Sequence, residues 1–405
     1  MEKQVIGMTG YFVHTKRHFA GLPLERYRLE RKYDIYKIPA YLHVKLFGKM
    51  DWRFSNTHND FGLHSCKLWH LYNSVSFGPT PWITTYETVL PRWRKVSRKR
   101  IEAGMRRLAD DSCKRIICMS HSGHRIQKHY LESFPAYKDA ILAKMCVLHP
   151  GQERMIEDYS EKTLDPNHLV MTMVGSKFYL KGGVEVLKAF VRLVDEGYPL
   201  KLNIVSILDY DDHVSGADAS VHEWAKGVIA KYSTHITYHY RLPNPEVLAL
   251  FKASHVGLLP TYADTYGYSV LEAMGCGCAI MATGIRALPE IVPEKAGWLI
   301  DVPVDDRGFA QLHNEADRLR YSEIVEEGLY HYFKEAVENL SLTRRKGLEA
   351  LEWLKYQHDR EQKALITDAM YDEALGGGAP SGARLRVREE DSYLELAKDG
   401  VVIAR

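Results

Sequence analysis

The chain has 405 residues, 45% of them apolar and 26% charged, and a formal net charge of +2. This balance excludes a largely disordered chain, and the length exceeds what one ordinary core holds, so two domains are expected. No apolar run approaches the roughly 20 residues that cross a bilayer, and a nearly neutral chain does not read as a nucleic-acid binder.

In chain order, the first third alternates short β-rich runs with helical patterns. Tyr33–Ile38 (YDIYKI), Leu68–Asn73 (LWHLYN), Trp82–Thr85 (WITT) and Arg115–Met119 (RIICM) are rich in β-branched and aromatic residues and bounded by polar or turn residues. Strands spaced by helix-length intervals imply βα units and a parallel sheet. The opening MEKQVIGMTG lacks the charged-then-apolar build of a signal peptide, and six cysteines without a CxxC spacing read as free thiols in a reducing cytoplasm.

Arg92–Arg107 (RWRKVSRKRIEAGMRR) holds eight Lys or Arg and one acid, Glu102. Ile101, Met105 and Leu108 share a helical face there. The segment is therefore either a basic amphipathic helix for an anionic membrane surface or a surface helix with a solvated basic side.

A second set of strands follows His149-Pro150-Gly151 and the polar stretch Glu161–His168. It comprises Leu169–Val174, Leu202–Ser206, Ile236–Tyr240, Val256–Leu259 and Ala279–Ala282, with helical spacing at Val184, Leu187, Lys188 and Val191 between the first two. The expected division is a first domain over 1–160, a second over 161–345, helices over 346–375 that cross back to the first domain, and a linker with a short tail over 376–405. Gly376–Ala383 (GGGAPSGA) has linker composition.

Two loops of the second domain carry chemistry. In Val174–Gly183 (VGSKFYLKGG) a strand ends at Gly175, Lys177 and Lys181 follow, and a glycine pair opens a helix. This is either an anion site or an ordinary strand-to-helix turn with solvated lysines. In Thr261–Gly284 (TYADTYGYSVLEAMGCGCAIMATG) a helix starts near Ser269 behind the turn at Gly267, with Asp264 and Glu272 on either side. Helix-start amides favour a phosphate, whereas ionised carboxylates are acceptors that suit hydroxyl groups. A ligand bearing both phosphates and hydroxyls is a nucleotide sugar. Cys276-Gly-Cys278 lacks companion ligands, and Asp209-Tyr210-Asp211-Asp212 reads as a polar loop, so no metal is expected.

The segment DTYGYSVLEAMGCGCAIMATGIRALPEIV, followed by AGWLIDVP, resembles the signature of glycosyltransferase family 4, whose hallmark is two acids separated by seven residues. The likeness extends through VGSKFYLKGGVEVLKAF and ITYHYRLPNPEVLALFKASHVGLLPT, and VLHPG resembles the family's interdomain entry. It implies an α/β GT-B fold, with two Rossmann-like doubly wound domains facing each other across a cleft and C-terminal helices. The implied activity is transfer of a sugar from a nucleotide-sugar donor to an acceptor hydroxyl with retention of configuration and without a metal or other cofactor. Polysaccharide, lipopolysaccharide or glycolipid assembly is the implied setting, in the cytoplasm or peripherally on the inner face of the membrane, with a glycan or lipid-linked acceptor.

The resemblance also assigns roles. Gly175, Ser176, Lys177 and Lys181 would form the diphosphate loop. Tyr266, Gly267, Tyr268 and Ser269 would offer backbone amides, Arg241 and Leu242 would lie beside the base, Glu272 would accept ribose hydroxyls, and Asp264 would hold the transferred sugar. Two positions depart from the family. Ser176 stands where an arginine is usual, to be offset by Lys177 or Arg286, and Glu87 in TTYET stands where a histidine is usual, to orient the sugar or accept a proton. Gly10 and Gly21 are both candidates for the first glycine-rich loop. These departures keep open a catalytically silent nucleotide-sugar-binding subunit; another GT-B enzyme, such as a sugar-nucleotide epimerase or an inverting transferase, is a separate alternative.

Overall fold

The computed structural model describes residues 2–10, 15–34, 37–48, 56–209, 214–377, 383–399 and 401–405. The chain forms two compact units, one made of Met1–Gly151 with His358–Arg405, the other of Gln152–Gln357.

In the first unit, β1 (Gln4–Met8), β2 (Tyr27–Arg31), β4 (Trp69–Tyr72), β6 (Trp82–Tyr86), β7 (Cys113–Cys118) and β8 (Met145–Val147) form a parallel sheet in the order β2-β1-β4-β6-β7-β8. The short pair β3 (Thr57–His58) and β5 (Val75–Ser76) lies apart from it. Helices α1 (Lys37–Phe47), α2 (Arg98–Ala109), α3 (His121–Leu131) and α4 (Pro135–Leu142) belong to the same unit. Successive side chains alternate between faces, so Trp82 and Ile116 join one apolar cluster while Ile83 and Ile117 join another. Burial on both faces is why the central strands β4 and β6 carry no Asp, Glu, Lys or Arg.

The expected strand over Tyr33–Ile38 is not found among the described residues. The strand is Tyr27–Arg31, and a helix begins at Lys37. As the sheet edge, β2 is mostly half-buried or exposed, so YRLER lacks the apolar run that marks a central strand. Tyr41, Leu42, Val44, Leu46 and Phe47 of α1 are all exposed.

In the second unit, β9 (Leu169–Gly175), β10 (Leu200–Ser206), β11 (Ile236–His239), β12 (Val256–Leu259), β13 (Ala279–Thr283) and β14 (Gly297–Ile300) form a parallel sheet in the order β11-β10-β9-β12-β13-β14. Its helices are α5 (Gly183–Asp195), α6 (Ala219–Lys231), α7 (Asn244–Lys252), α8 (Tyr268–Gly275), α9 (Leu288–Ile291), α10 (Glu315–Glu338) and α11 (Leu340–His358). α5 turns Val186, Leu187, Ala189, Phe190 and Leu193 inward, as its spacing requires. This unit begins at Gln152, ahead of the expected break at 160, because Met155 N donates to Gly275 O and Lys162 Nζ to Cys276 O.

The chain re-enters the first unit at His358, later than the expected 346. α12 (Arg360–Ala374) buries Ile366, Met370 and Tyr371, and Tyr371 OH lies 2.6 Å from His70 Nδ1. The tail, which composition left without structure, forms an antiparallel sheet of β15 (Arg384–Val387), β16 (Leu394–Lys398) and β17 (Val401–Ala404). Val147 N donates to Ser392 O, so the tail covers the β8 edge of the large sheet. No helix among the described residues is long and apolar enough to cross a membrane.

Candidate active site

The site is built where the strand order of the second unit reverses. β9 and β12 are neighbours there, and the chain leaves them in opposite directions. Ligands in open α/β sheets bind outside the carboxyl ends of the strands at such a point.

The turn after β9 is shaped by two glycines. A Cβ on Gly175 would lie 2.8 Å from Lys181 Cγ, so the lysine stem lies against the end of its own strand. Gly182 has φ +79°, and a Cβ there would lie 2.0 Å from Pro260 O, so its backbone touches the end of β12. Lys181 is thereby aimed across the gap. Its Nζ donates to Ala263 O at 3.1 Å and to Asp264 Oδ2 at 2.5 Å.

Asp264 binds on both oxygens, since Oδ1 accepts from Tyr266 N at 2.9 Å. This turn brings the chain to Gly267, whose φ of +96° makes it the left-handed N-cap of α8. No side chain caps that helix start, which suits a helix that receives an anion. Tyr266 is buried, Tyr268 and Ser269 are half-buried, and the two tyrosine rings lie 5.6 Å apart.

Glu272 lies on α8, buried to 8% exposure, and its Oε1 accepts from Asn244 Nδ2 at 3.0 Å. Asn244 opens α7 just beyond Arg241 and Leu242. Arg241 is exposed over the Tyr240 ring and Leu242 is half-buried. Ser176 and Lys177 are exposed. Arg286, a candidate second cation, is buried with φ +52°, and its guanidinium stands 4.3 Å from the Phe309 ring centre.

Glu87 lies in the first unit at the end of β6. It accepts from Tyr72 OH at 2.9 Å and pairs with Arg92, while its own N–H donates to Asn73 Oδ1. Arg92 is the first residue of the basic run. The apolar side of α2 is spent on the core through Met105 and Leu108, and Arg107 is tied to Ser76 O, Gly78 O and Ser112 Oγ. Gly21 closes a short turn onto Lys16 O. Gly10 is described with φ +69°, but the residues after it lie outside the described set, as do Tyr210, Asp211 and Asp212 of the acidic stretch.

Several site residues escaped the sequence reading, namely Asn244, Glu185, Tyr262 and Tyr321. Glu185 left a trace, an acid on the helix face that also carries Ala189, where the pattern asks for an apolar residue.

Residues 155–323 match the family model described as glycosyl transferases group 1. Curated relatives include a D-inositol 3-phosphate glycosyltransferase of Corynebacterium jeikeium, 27% identical over 38% of this chain and 36% of that one. Another, from Paenarthrobacter aurescens, is 22% identical over 53% of this chain and 51% of that one. The chain thus spans about half or less of the length of these curated relatives.

Among solved structures, a glycosyltransferase of Rickettsia africae matches at TM-score 0.60 and 12% identity, over 93% of this chain and 99% of that one. Sucrose-phosphate synthase of Thermosynechococcus elongatus matches at TM-score 0.56 and 14% identity, over 92% and 100%. Anabaena HepE in complex with UDP and glucose matches at TM-score 0.54 and 12% identity, over 93% and 100%. At such identities the likeness is one of fold. Residues 155–323 are thus similar in sequence to the glycosyl transferases group 1 family, and along most of its length the chain has the GT-B fold.

Proposed function

We propose that the protein is a retaining glycosyltransferase that moves a sugar from a nucleotide-sugar donor to an acceptor hydroxyl. The observation that carries this reading is the Lys181–Asp264 pair at the switch point, one turn from the uncapped start of α8. The bond between the anomeric carbon and the diphosphate oxygen breaks, the acceptor oxygen bonds on the same face, and the acceptor proton passes to the departing phosphate. Lys181 and the α8 start stabilise the leaving charge, a preorganised electrostatic contribution in a site where it counts for more than in water. Asp264 holds the transferred sugar and Glu272 the ribose hydroxyls. We assign this charge stabilisation to the protein's own groups rather than to a metal ion.

Uridine donors are the first to try, since one structure of like fold is a complex with UDP-glucose. The acceptor is a glycan or a lipid-linked alcohol, and the lipid-linked form places the protein at the cytoplasmic membrane face. The basic side of α2 and the exposed apolar side chains of α1 support such docking.

The test is a panel of nucleotide sugars followed for release of free nucleotide diphosphate, with NMR of the product anomer. Release with at least one donor and a retained anomer is expected. Donor binding without release for any donor points to a silent nucleotide-sugar-binding subunit, a reading favoured by Lys181 being already neutralised by Asp264 and by Ser176 standing where a second cation is usual. An inverted anomer overturns retention alone.

A further inference from the structure

Glu185 sits on the first turn of α5, four residues after Lys181, and is 3% exposed. A carboxylate in that position is costly to bury, and burial pushes the Glu185 carboxyl above its ordinary range, against the opposing pull of the Ser322 and Tyr262 hydroxyls. Both hydroxyls donate to one oxygen, Oε1, from Tyr262 at 2.7 Å and from Ser322 at 2.6 Å.

Tyr262 lies two residues before Asp264 and is held at both ends. Its backbone N–H donates to Leu180 O at 2.9 Å, one residue before Lys181, and its phenol is held by Glu185. The residue before it is fixed as well, since Thr261 O accepts from Tyr321 OH at 2.7 Å and from Thr283 Oγ1 at 2.8 Å. The residue after it, Ala263, gives its carbonyl to Lys181 Nζ. The turn carrying Asp264 is therefore stapled to α5, α10 and β13, and Glu185 is the acidic member of the staple.

We propose that Glu185 is a positioning residue, which through Tyr262 sets the register between Lys181 and Asp264 and so the geometry of the transfer step. The catalytic part of this inference rests on the glycosyltransferase reading. Its structural part, that the 261–267 turn is held by Glu185, stands apart from it. A displacement of the pair by about 1 Å is enough to cost up to a hundredfold in rate, so the staple has leverage although it touches no substrate.

The experiment compares Glu185→Leu, Glu185→Gln and Tyr262→Phe with the wild type by steady-state kinetics, thermal melting and hydrogen exchange. In E185L we expect kcat to fall about tenfold or more while the donor KM stays within about threefold. Exchange over 261–267 should quicken, with β9 unchanged. The amide oxygen of E185Q still accepts both hydroxyls, so that variant should keep wild-type kcat and exchange. Y262F removes a single hydroxyl and should share the E185L phenotype in milder form, and it carries the test if E185L does not fold.

An E185L enzyme with unchanged kcat and unchanged exchange overturns the proposal, as does an E185Q enzyme as slow as E185L. If the wild type releases nucleotide from no donor, the glycosyltransferase reading fails on its own. The exchange comparison then still decides whether Glu185 holds the turn, and unchanged exchange in E185L overturns that as well.

Discussion

Lys181 Nζ and Asp264 Oδ2 meet at 2.5 Å across the ends of two adjacent strands, with side-chain exposures of only 14% and 19%. Each charge is thus the main neutralising partner of the other, and removing one leaves the other partly buried without its counter-charge. Asp264→Asn is expected to slow transfer about a hundredfold while a nucleotide diphosphate still binds. Lys181→Ala should weaken that binding and also slow transfer. The double variant should lose less than the sum of the two in free energy, since the residues act as a unit. Calorimetric titration with UDP and steady-state kinetics check both parts, and additive losses would count against the pairing.

Glu272 and Asn244 form a second, separate pair. If Glu272 takes ribose hydroxyls, Glu272→Ala raises the donor Kd roughly tenfold to a hundredfold, the range of hydrogen bonds to a charged group. Asn244→Ala leaves the carboxylate in place and should cost less. Equal losses in the two would mean that Asn244 itself contacts the donor.

Gly182→Ala should destabilise the second unit by about 1–3 kcal/mol or more, because it combines a left-handed φ with a Cβ only 2.0 Å from Pro260 O. Equilibrium denaturation with probes in each unit checks this, the loss being confined to transitions of residues 152–357. By contrast, a Cβ on Gly197 meets nothing within 4 Å, so Gly197→Ala carries only the cost of its positive φ.

Acid should open the first unit before the second. Burial lowers His70 to about 3, His358 to about 3 and His121 to about 4, and pushes His149 well down too. All four are in the first unit, whereas in the second His255 is lowered to about 4. A folded-state pKa below the unfolded value means that the unfolded chain takes up protons first. Stability from these groups is therefore intact above about pH 6.5 and lost as pH falls from there toward 3. Hydrogen exchange at pH 7 and pH 4.5 should show protection falling mainly in 1–151 and 358–405. His70→Asn should reduce the pH slope of stability by about one proton.

The second unit was largely legible because its strands are apolar runs between turn residues. The run Leu169–Val174 is β9 less its terminal glycine, and Val256–Leu259 is β12. The two strand-to-helix turns at Gly182 and Gly267 were legible from glycine placement. Pairings were not legible, since Lys181 and Asp264, or Glu185 and Tyr262, lie about 80 residues apart and meet only once the sheet order is known. The N-terminal edge misled because YRLER is half-exposed while YDIYKI carries the β-branched and aromatic types. The tail was hidden because its apolar residues pack on α12, a partner that no local pattern reveals.

The first unit is assembled from both ends of the chain, with Tyr371 against His70 and Asp372 against Arg26 and Tyr27. During synthesis, therefore, Met1–Gly151 leaves the ribosome without the helix that completes its core. At about 5–20 residues per second, roughly ten to forty seconds pass before that helix is made. In that interval the contiguous Gln152–Gln357 segment can close by itself, while the amino-terminal sheet waits with the surface meant for α12 open to water. The sheet made before the second unit is thus completed only after it, and it is the part that a chaperone would need to shield.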